Sequence, residues 1–303
     1  MTAAINRQTL RQKLRAYKRS PFSLLLFIAV TLAMALTAIT LLFLVGYILV
    51  KGIPHLTPDL FAWEYTSENV SLTPALINTI LMTLLSLLIA APLGIFSAIY
   101  LVEYARRGNK LVGVVRITAE TLSGIPSIVY GLFGMLFFVT TFHWGYSFLA
   151  GAFTLAIMIL PLIMRTTEEA LKAVPDSFRE GSFGLGAGKL RTVFRIVLPS
   201  ATPGILAGII LSIGRIVGET AALMYTAGTV ADIFQPTKHT GNWLVDGFST
   251  FLSSGRTLSV HMYSLSSEGF HVDQAYATAV VLLVIVILIN WLSGRVAKKL
   301  TKR

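Results

Sequence analysis

The sequence contains no cysteine, and only 13% of its 303 residues carry charge. The first absence excludes disulfides and thiolate metal sites. The second sets the chain apart from soluble domains, which carry roughly 25% charged residues. Histidine is scarce as well. His55, His143, His239, His261 and His271 show no H-x₃₋₅-H spacing, so no metal site is expected. All five fall between the long apolar runs and read as solvated loop residues. No cluster of His, Asp or Ser in a working catalytic arrangement is apparent, which argues against an enzyme embedded in the membrane.

Apolar residues make up 54% of the chain and come in long runs. A bilayer-spanning helix needs about 20 mostly apolar residues. Six runs qualify: Phe22–Val50, Thr73–Val102, Ile117–Phe142, Ser147–Met164, Ala201–Gly228 and Gln274–Val296. The first follows a basic stretch like a signal peptide, but it is too long for an h-region of about 7–15 residues and is expected to stay as an anchor. The fold class expected is an all-α membrane protein with six transmembrane helices. Residues 1–21 read as a basic tail and 22–50 as the first anchor helix.

The net charge of +11 is explained by its distribution. Arg7, Arg11, Lys13, Arg15, Lys18 and Arg19 precede the first span, and Lys298, Lys299, Lys302 and Arg303 follow the last. Arg106, Arg107, Lys110 and Arg116 follow the second span. Arg165, Lys172, Arg179, Lys189, Arg191 and Arg195 follow the fourth. Residues 51–72 instead carry Asp59, Glu64 and Glu68 against one lysine. Basic loops lie inside, so both termini and the second and fourth loops are cytoplasmic. This pattern anchors a protein in lipid and does not form a nucleic-acid surface. The outer loop 229–273 is too long to be structureless. Trp243, Leu244, Gly247, Phe248, Phe251 and Leu252 recur there at helical spacing.

Loop 165–200 carries the most specific pattern. Pro175 and Asp176 suit a helix start, and Gly186 suits a sharp turn. Leu190, Val193, Phe194 and Val197 then form one apolar face, and Pro199 is expected to end that helix. GLGAGK at 184–189 imitates a phosphate loop, but Phe183 and Leu190 stand where Gly and Ser or Thr are required. The ordered Glu180-Gly181-Ser182, Gly186, Ile196, Leu198, Pro199 spacing resembles the EAA loop of bacterial ABC-importer permeases. Gly181 and Ser182 replace two alanines common in that family. The resemblance implies that the Glu180–Pro199 loop docks into separate ATPase subunits and that the chain binds no ATP itself.

Arg215 and Glu219 lie inside the fifth span at i, i+4, with Thr220 beside them. A charge at a helix centre normally faces an interior or a water-filled path. Helical spacing would place both on one face and let them neutralise each other. A guanidinium also suits a tetrahedral oxyanion. An anion path and a purely structural ion pair both fit these residues. In the third span Gly124, Gly131 and Gly134 thin the helix and Pro126 bends it. Ser123 and Ser127 could satisfy the carbonyl freed there. Both a pore-lining helix and tight packing fit that pattern.

The segments 123–134 and 214–223 resemble the signatures of PstA-type permease subunits of bacterial phosphate ABC importers, over about residues 73–296. The resemblance implies a type I permease core at 73–296 in the bacterial inner membrane, with no catalytic site of its own. It implies a PstC-like sister permease, two PstB-like ATP-binding subunits and an external phosphate-binding protein. It also implicates Arg215 and Glu219 in the anion path, with Arg165 as a further candidate. A sulfate- or molybdate-like cargo fits the coupling loop equally well, whereas an ATP-independent channel would leave that loop without a role.

Overall fold

In a medium without water, each backbone donor must find its acceptor within its own segment, so long apolar runs fold as helices. The computed structural model describes residues 21–106, 108–232 and 249–301, and the chain divides into two units, 1–51 and 52–303. In the first unit α1 (Pro21–Gly52) is apolar on all sides. Thr31, Thr37 and Thr40 each donate to the carbonyl four residues back, at 2.7, 2.8 and 2.9 Å. Their hydroxyls are therefore satisfied without any partner outside the helix.

In the second unit α2 (Thr73–Ile99) ends in a π turn, Tyr100–Tyr104. Next come α3 (Lys110–Ser123) and α4 (Ser127–Gly134), the latter extended by a π turn, Met135–Thr141. α5 is Phe148–Lys172, started by the Ser147 hydroxyl accepting from Ala150 N–H. α6 (Asp176–Gly184) and α7 (Lys189–Thr192) form a helical hairpin. A π turn, Val193–Val197, leads into α8 (Leu198–Val217). The short α9 (Ala221–Met224), then α10 (Leu258–Glu268) and α11 (Val272–Thr301), complete the unit. Among the described residues five helices are long and apolar enough to cross a membrane, and the bent α3–α4 pair can supply a sixth. The all-α, multi-span architecture expected from the sequence is therefore present.

α5 is the centre of the unit, packed between α2 and α8. Its Leu155, Met158, Ile159 and Ile163 are wholly buried with Met82, Ile216 and Leu223. Toward the cytoplasmic end Leu101, Met164, Leu171, Val193 and Val197 form a second cluster. Leu60, Leu72, Leu258 and Leu265 form a third at the outer end. At Gly208 a Cβ would collide with Thr166, so α5 and α8 approach closely there.

Three sequence expectations change. The third span is not one kinked helix: α3 and α4 meet at 103°, with the break at Gly124–Pro126. The Tyr130 hydroxyl bridges it by donating to the Leu122 carbonyl at 2.8 Å. Ser123 donates to the Glu120 carbonyl at 2.9 Å. Pro199 does not end a helix, because it falls in the first turn of α8 and the preceding π turn accommodates its ring. The fifth helix stops at Val217 instead of continuing to Gly228. There the Ser259 hydroxyl takes the Glu219 carbonyl at 2.6 Å, and the Glu219 carboxylate accepts from Ala222 N–H at 3.1 Å. Residues 233–248, with most of the helix expected around Trp243–Leu252, lie outside the described residues, as do residues 1–20 and Arg107.

Candidate functional site

A cavity of about 450 Å³ opens between α3, α5 and the end of α8. Arg116, Arg165, Lys172 and Arg215 line it, together with Glu120, Glu168 and Glu169. Arg116 Nη2 and Lys172 Nζ both bind Glu168 Oε1, at 2.7 and 2.6 Å. Glu168 is only 9% exposed, so the two cations offset the cost of burying its charge. Arg165 Nε meets the exposed Glu169 carboxylate at 3.1 Å. The Arg215 guanidinium, in the last turn of α8, has no hydrogen bond or ion pair among the described residues. Of the lining cations it is the one left available to a mobile anion.

The arrangement separates residues that the sequence placed together. Arg215 and Glu219 do not share a helical face, because α8 ends between them. The Glu219 carboxylate caps α9 and makes no ion pair with Arg215. Thr220 is the residue preceding α9, and neither it nor Glu219 lines the cavity. Arg165 and Ser123 do line it. Gly124 ends α3, Pro126 precedes α4 and Ser127 begins it, and none of the three lines the cavity. Gly131 packs α4 against α9, where a Cβ would stand 2.8 Å from the Ala222 Cα. From sequence alone Arg116 and Lys172 read as loop charges, and Glu168 does not stand out as a site residue. The RTTEEALK run at the end of α5, with two i, i+4 pairs of opposite charge, was the signal available.

The coupling loop has its own geometry. Gly186 sits in the left-handed region at φ +79°, as the turn between α6 and α7 requires. The Ser182 and Thr192 hydroxyls pair at 2.8 Å and hold the two helices together. Val193 and Val197 are buried, whereas Leu190 and Phe194 are exposed and Leu185 is 91% exposed. Glu180, Gly181 and Pro199 are also exposed, while Ile196 and Leu198 are half-buried. Arg179, read from sequence as one more positive charge, ties this loop to the membrane helices. It binds Glu103 at 2.8 Å and the carbonyls of Leu171 and Val174 at 2.9 and 2.8 Å. These bonds join α6 to the ends of α2 and α5.

Comparison with known proteins agrees with this architecture. The chain is 33% identical over 282 residues to a probable ABC transporter permease protein, YqgI, of Bacillus subtilis, covering 89% of this chain and 94% of that one. It is 36% identical to the phosphate transport system permease protein PstA of Pasteurella multocida, covering 80% and 82%. A bacterial alginate ABC transporter, solved in complex with an alginate pentasaccharide-bound periplasmic protein, shares the fold. Its TM-score is 0.59 at 18% identity, with 95% and 99% covered. The family model for the binding-protein-dependent transport system inner membrane component matches residues 90–302. With helices built for a bilayer and a cytoplasmic hairpin tied to them, this chain belongs to that family of inner-membrane transport components.

Proposed function

We propose that the chain is one permease half of an ATP-driven importer of inorganic phosphate. The observation that carries this reading is the Arg215 guanidinium, the one lining cation without an ion pair among the described residues. Its planar fork suits a tetrahedral oxyanion. The neighbouring carboxylates limit how tightly an anion is held, which a conducting path requires. The likeness to the Pasteurella phosphate permease selects phosphate among oxyanions. A PstC-like sister subunit would complete the path.

In this reading the chain binds no nucleotide. Two PstB-like subunits hydrolyse ATP and grip the Glu180–Pro199 loop through its exposed Leu185 and Leu190. Their closure moves α6, and the Arg179–Glu103 link transmits that movement to α2 and α5. Work is coupled only if the motor favours one helix arrangement over the other. An external phosphate-binding protein delivers the ion. Residues 73–296 act as the permease core, and α1 is an added anchor.

The test is ATP-dependent uptake of labelled phosphate into vesicles holding all the subunits, with sulfate and molybdate as competitors. Native vesicles should accumulate phosphate despite both competitors. Arg215→Gln should assemble yet transport at a rate lower by about 10²-fold. Normal transport by Arg215→Gln would make the arginine structural. Failure of native vesicles to take up phosphate would overturn the cargo.

A further inference from the structure

A second arginine lies at the outer end of the bundle. Arg256 is only 5% exposed, and its Nε and Nη2 atoms are buried with no hydrogen-bond partner. These atoms form one edge of the guanidinium, the edge that grips an oxyanion with two parallel hydrogen bonds. The other contact shown for the group is the face of Tyr65, 4.6 Å from Cζ to the ring centroid. Among the described residues no carboxylate pairs with it. A ring face offsets part of the cost of burying a cation but leaves its hydrogen-bond donors unmet.

His261, on the first turn of α10, packs against the same tyrosine, with centroids 6.1 Å apart and rings at 85°. It is wholly buried; one ring N–H has only a loose contact with the Val70 carbonyl, and the acceptor nitrogen has no hydrogen-bond partner. Burial first, and the Arg256 guanidinium second, push its pKa down to about 3, against a smaller opposing effect of the Val70 carbonyl. The ring is therefore neutral at ordinary pH, with one N–H donor and one acceptor lone pair. Val70, beside it, is a buried β-branched residue held at φ +40°. Strain of that kind concentrates at sites whose shape matters.

Three segments of the chain hold the arrangement. Asn78 of α2 donates to the Arg256 carbonyl at 3.2 Å, and Arg256 N–H donates to Val230 at 2.8 Å. Thr79 accepts from Leu258 N–H at 2.8 Å. Ser259 binds the Glu219 carbonyl, connecting this cluster to the break after α8 and so to Arg215. Two unmet donors on a fixed cation and an unmet acceptor on a neutral ring complement one species well. Hydrogen phosphate presents anionic oxygens to the guanidinium edge and a P–O–H donor to the imidazole. Sulfate has no such proton at neutral pH, and a phosphodiester headgroup has none at all.

We propose that Arg256 and His261 form an outer binding station for hydrogen phosphate, at which His261 accepts a hydrogen bond from the P–O–H group and disfavours sulfate. The choice of ligand rests on the import reading above; the station's location rests on the orphaned nitrogens alone. Because both side chains are buried, the station loads when the Tyr65 loop and α10 part, as an occluded site in a gated path must.

The experiment measures binding of labelled inorganic phosphate to the purified complete transporter, without its binding protein. The background is Arg215→Gln, so that the inner cavity is silenced. Phosphate binding should persist in that background and weaken at least about tenfold in Arg256→Gln. Arg256→Lys keeps the charge without the two-donor edge and should weaken binding while preserving assembly, read by co-purification of the partner subunits. His261→Gln retains an acceptor and should keep the preference over sulfate, whereas His261→Leu should lose it. Added phosphatidylglycerol should not displace phosphate. Absence of binding in the Arg215→Gln background, or binding indifferent to Arg256→Gln and Arg256→Lys, overturns the station. So does displacement by phosphatidylglycerol, or unchanged sulfate discrimination in His261→Leu. All of these differ from failed uptake by native vesicles, which would overturn the import reading.

Discussion

At the cytoplasmic end Arg116 and Lys172 share one oxygen of Glu168, and Arg165 lies against Glu169. At the outer end Arg256 rests on a tyrosine face with a buried edge unmet, beside a histidine whose acceptor nitrogen is unmet too. The inner charges sit on α3 and α5 around an open cavity, where water and ions moderate them. The outer pair is enclosed, so each orphaned group costs far more. Pairing inside holds helices together and leaves Arg215 as the available cation. Lack of pairing outside leaves two buried guanidinium donors without an acceptor.

The contrast can be broken most severely at Arg215. Its replacement by glutamine should reduce phosphate uptake by roughly two orders of magnitude with assembly intact, as the vesicle assay reads directly. Arg179→Gln should act on stability and coupling together. Removing one partner of a buried ion pair costs about 3–5 kcal/mol, here against a pair that is 15% and 8% exposed. Thermal unfolding of the complex should show that loss, and ATP hydrolysis should run with less transport per turnover.

Glu168→Gln sharpens the comparison at the inner end, because it leaves Arg116 and Lys172 in the cavity without their shared carboxylate. Phosphate should bind more tightly, by about three- to tenfold, and leave more slowly, with stronger dependence on salt. Tighter binding with unchanged turnover would show that release is not limited there.

The outer end should show a pH dependence of stability, without a direct effect on transport. The His261 pKa lies at about 3 in the fold, below its ordinary 6.5, so the unfolded chain binds the extra proton between those values. Stability is fully present above the unfolded pKa and falls with pH below it, by roughly 1.4 kcal/mol per pH unit from this group. Unfolding of the native protein should therefore ease between about pH 6.5 and 5, and His261→Gln should flatten that slope. Equal slopes in the two proteins would mean that the imidazole is already protonated in the fold.

Much of the framework is local and was legible. Span length, the distribution of basic loops and the left-handed turn at Gly186 depend on neighbouring residues, on chain length against bilayer thickness and on backbone sterics. The sequence could not show where helices end inside apolar runs. The break at 124–126 is bridged by Tyr130 reaching back to Leu122, and the stop after Val217 involves Ser259, forty residues away. Those distant partners, not periodicity, separate Arg215 from Glu219.

The same reason explains the histidines and the charges. His261 looked like a solvated loop residue, because nothing in its neighbourhood along the chain reveals that Tyr65 and Arg256 enclose it. Arg116 looked like a loop cation until α3 carried it to Glu168. By itself the sequence determined that this is a multi-span membrane protein with a basic loop before its fifth span, since hydrophobic length and charge asymmetry act through the solvent. Only the tertiary structure decided which charges are paired, because pairing depends on which helices meet.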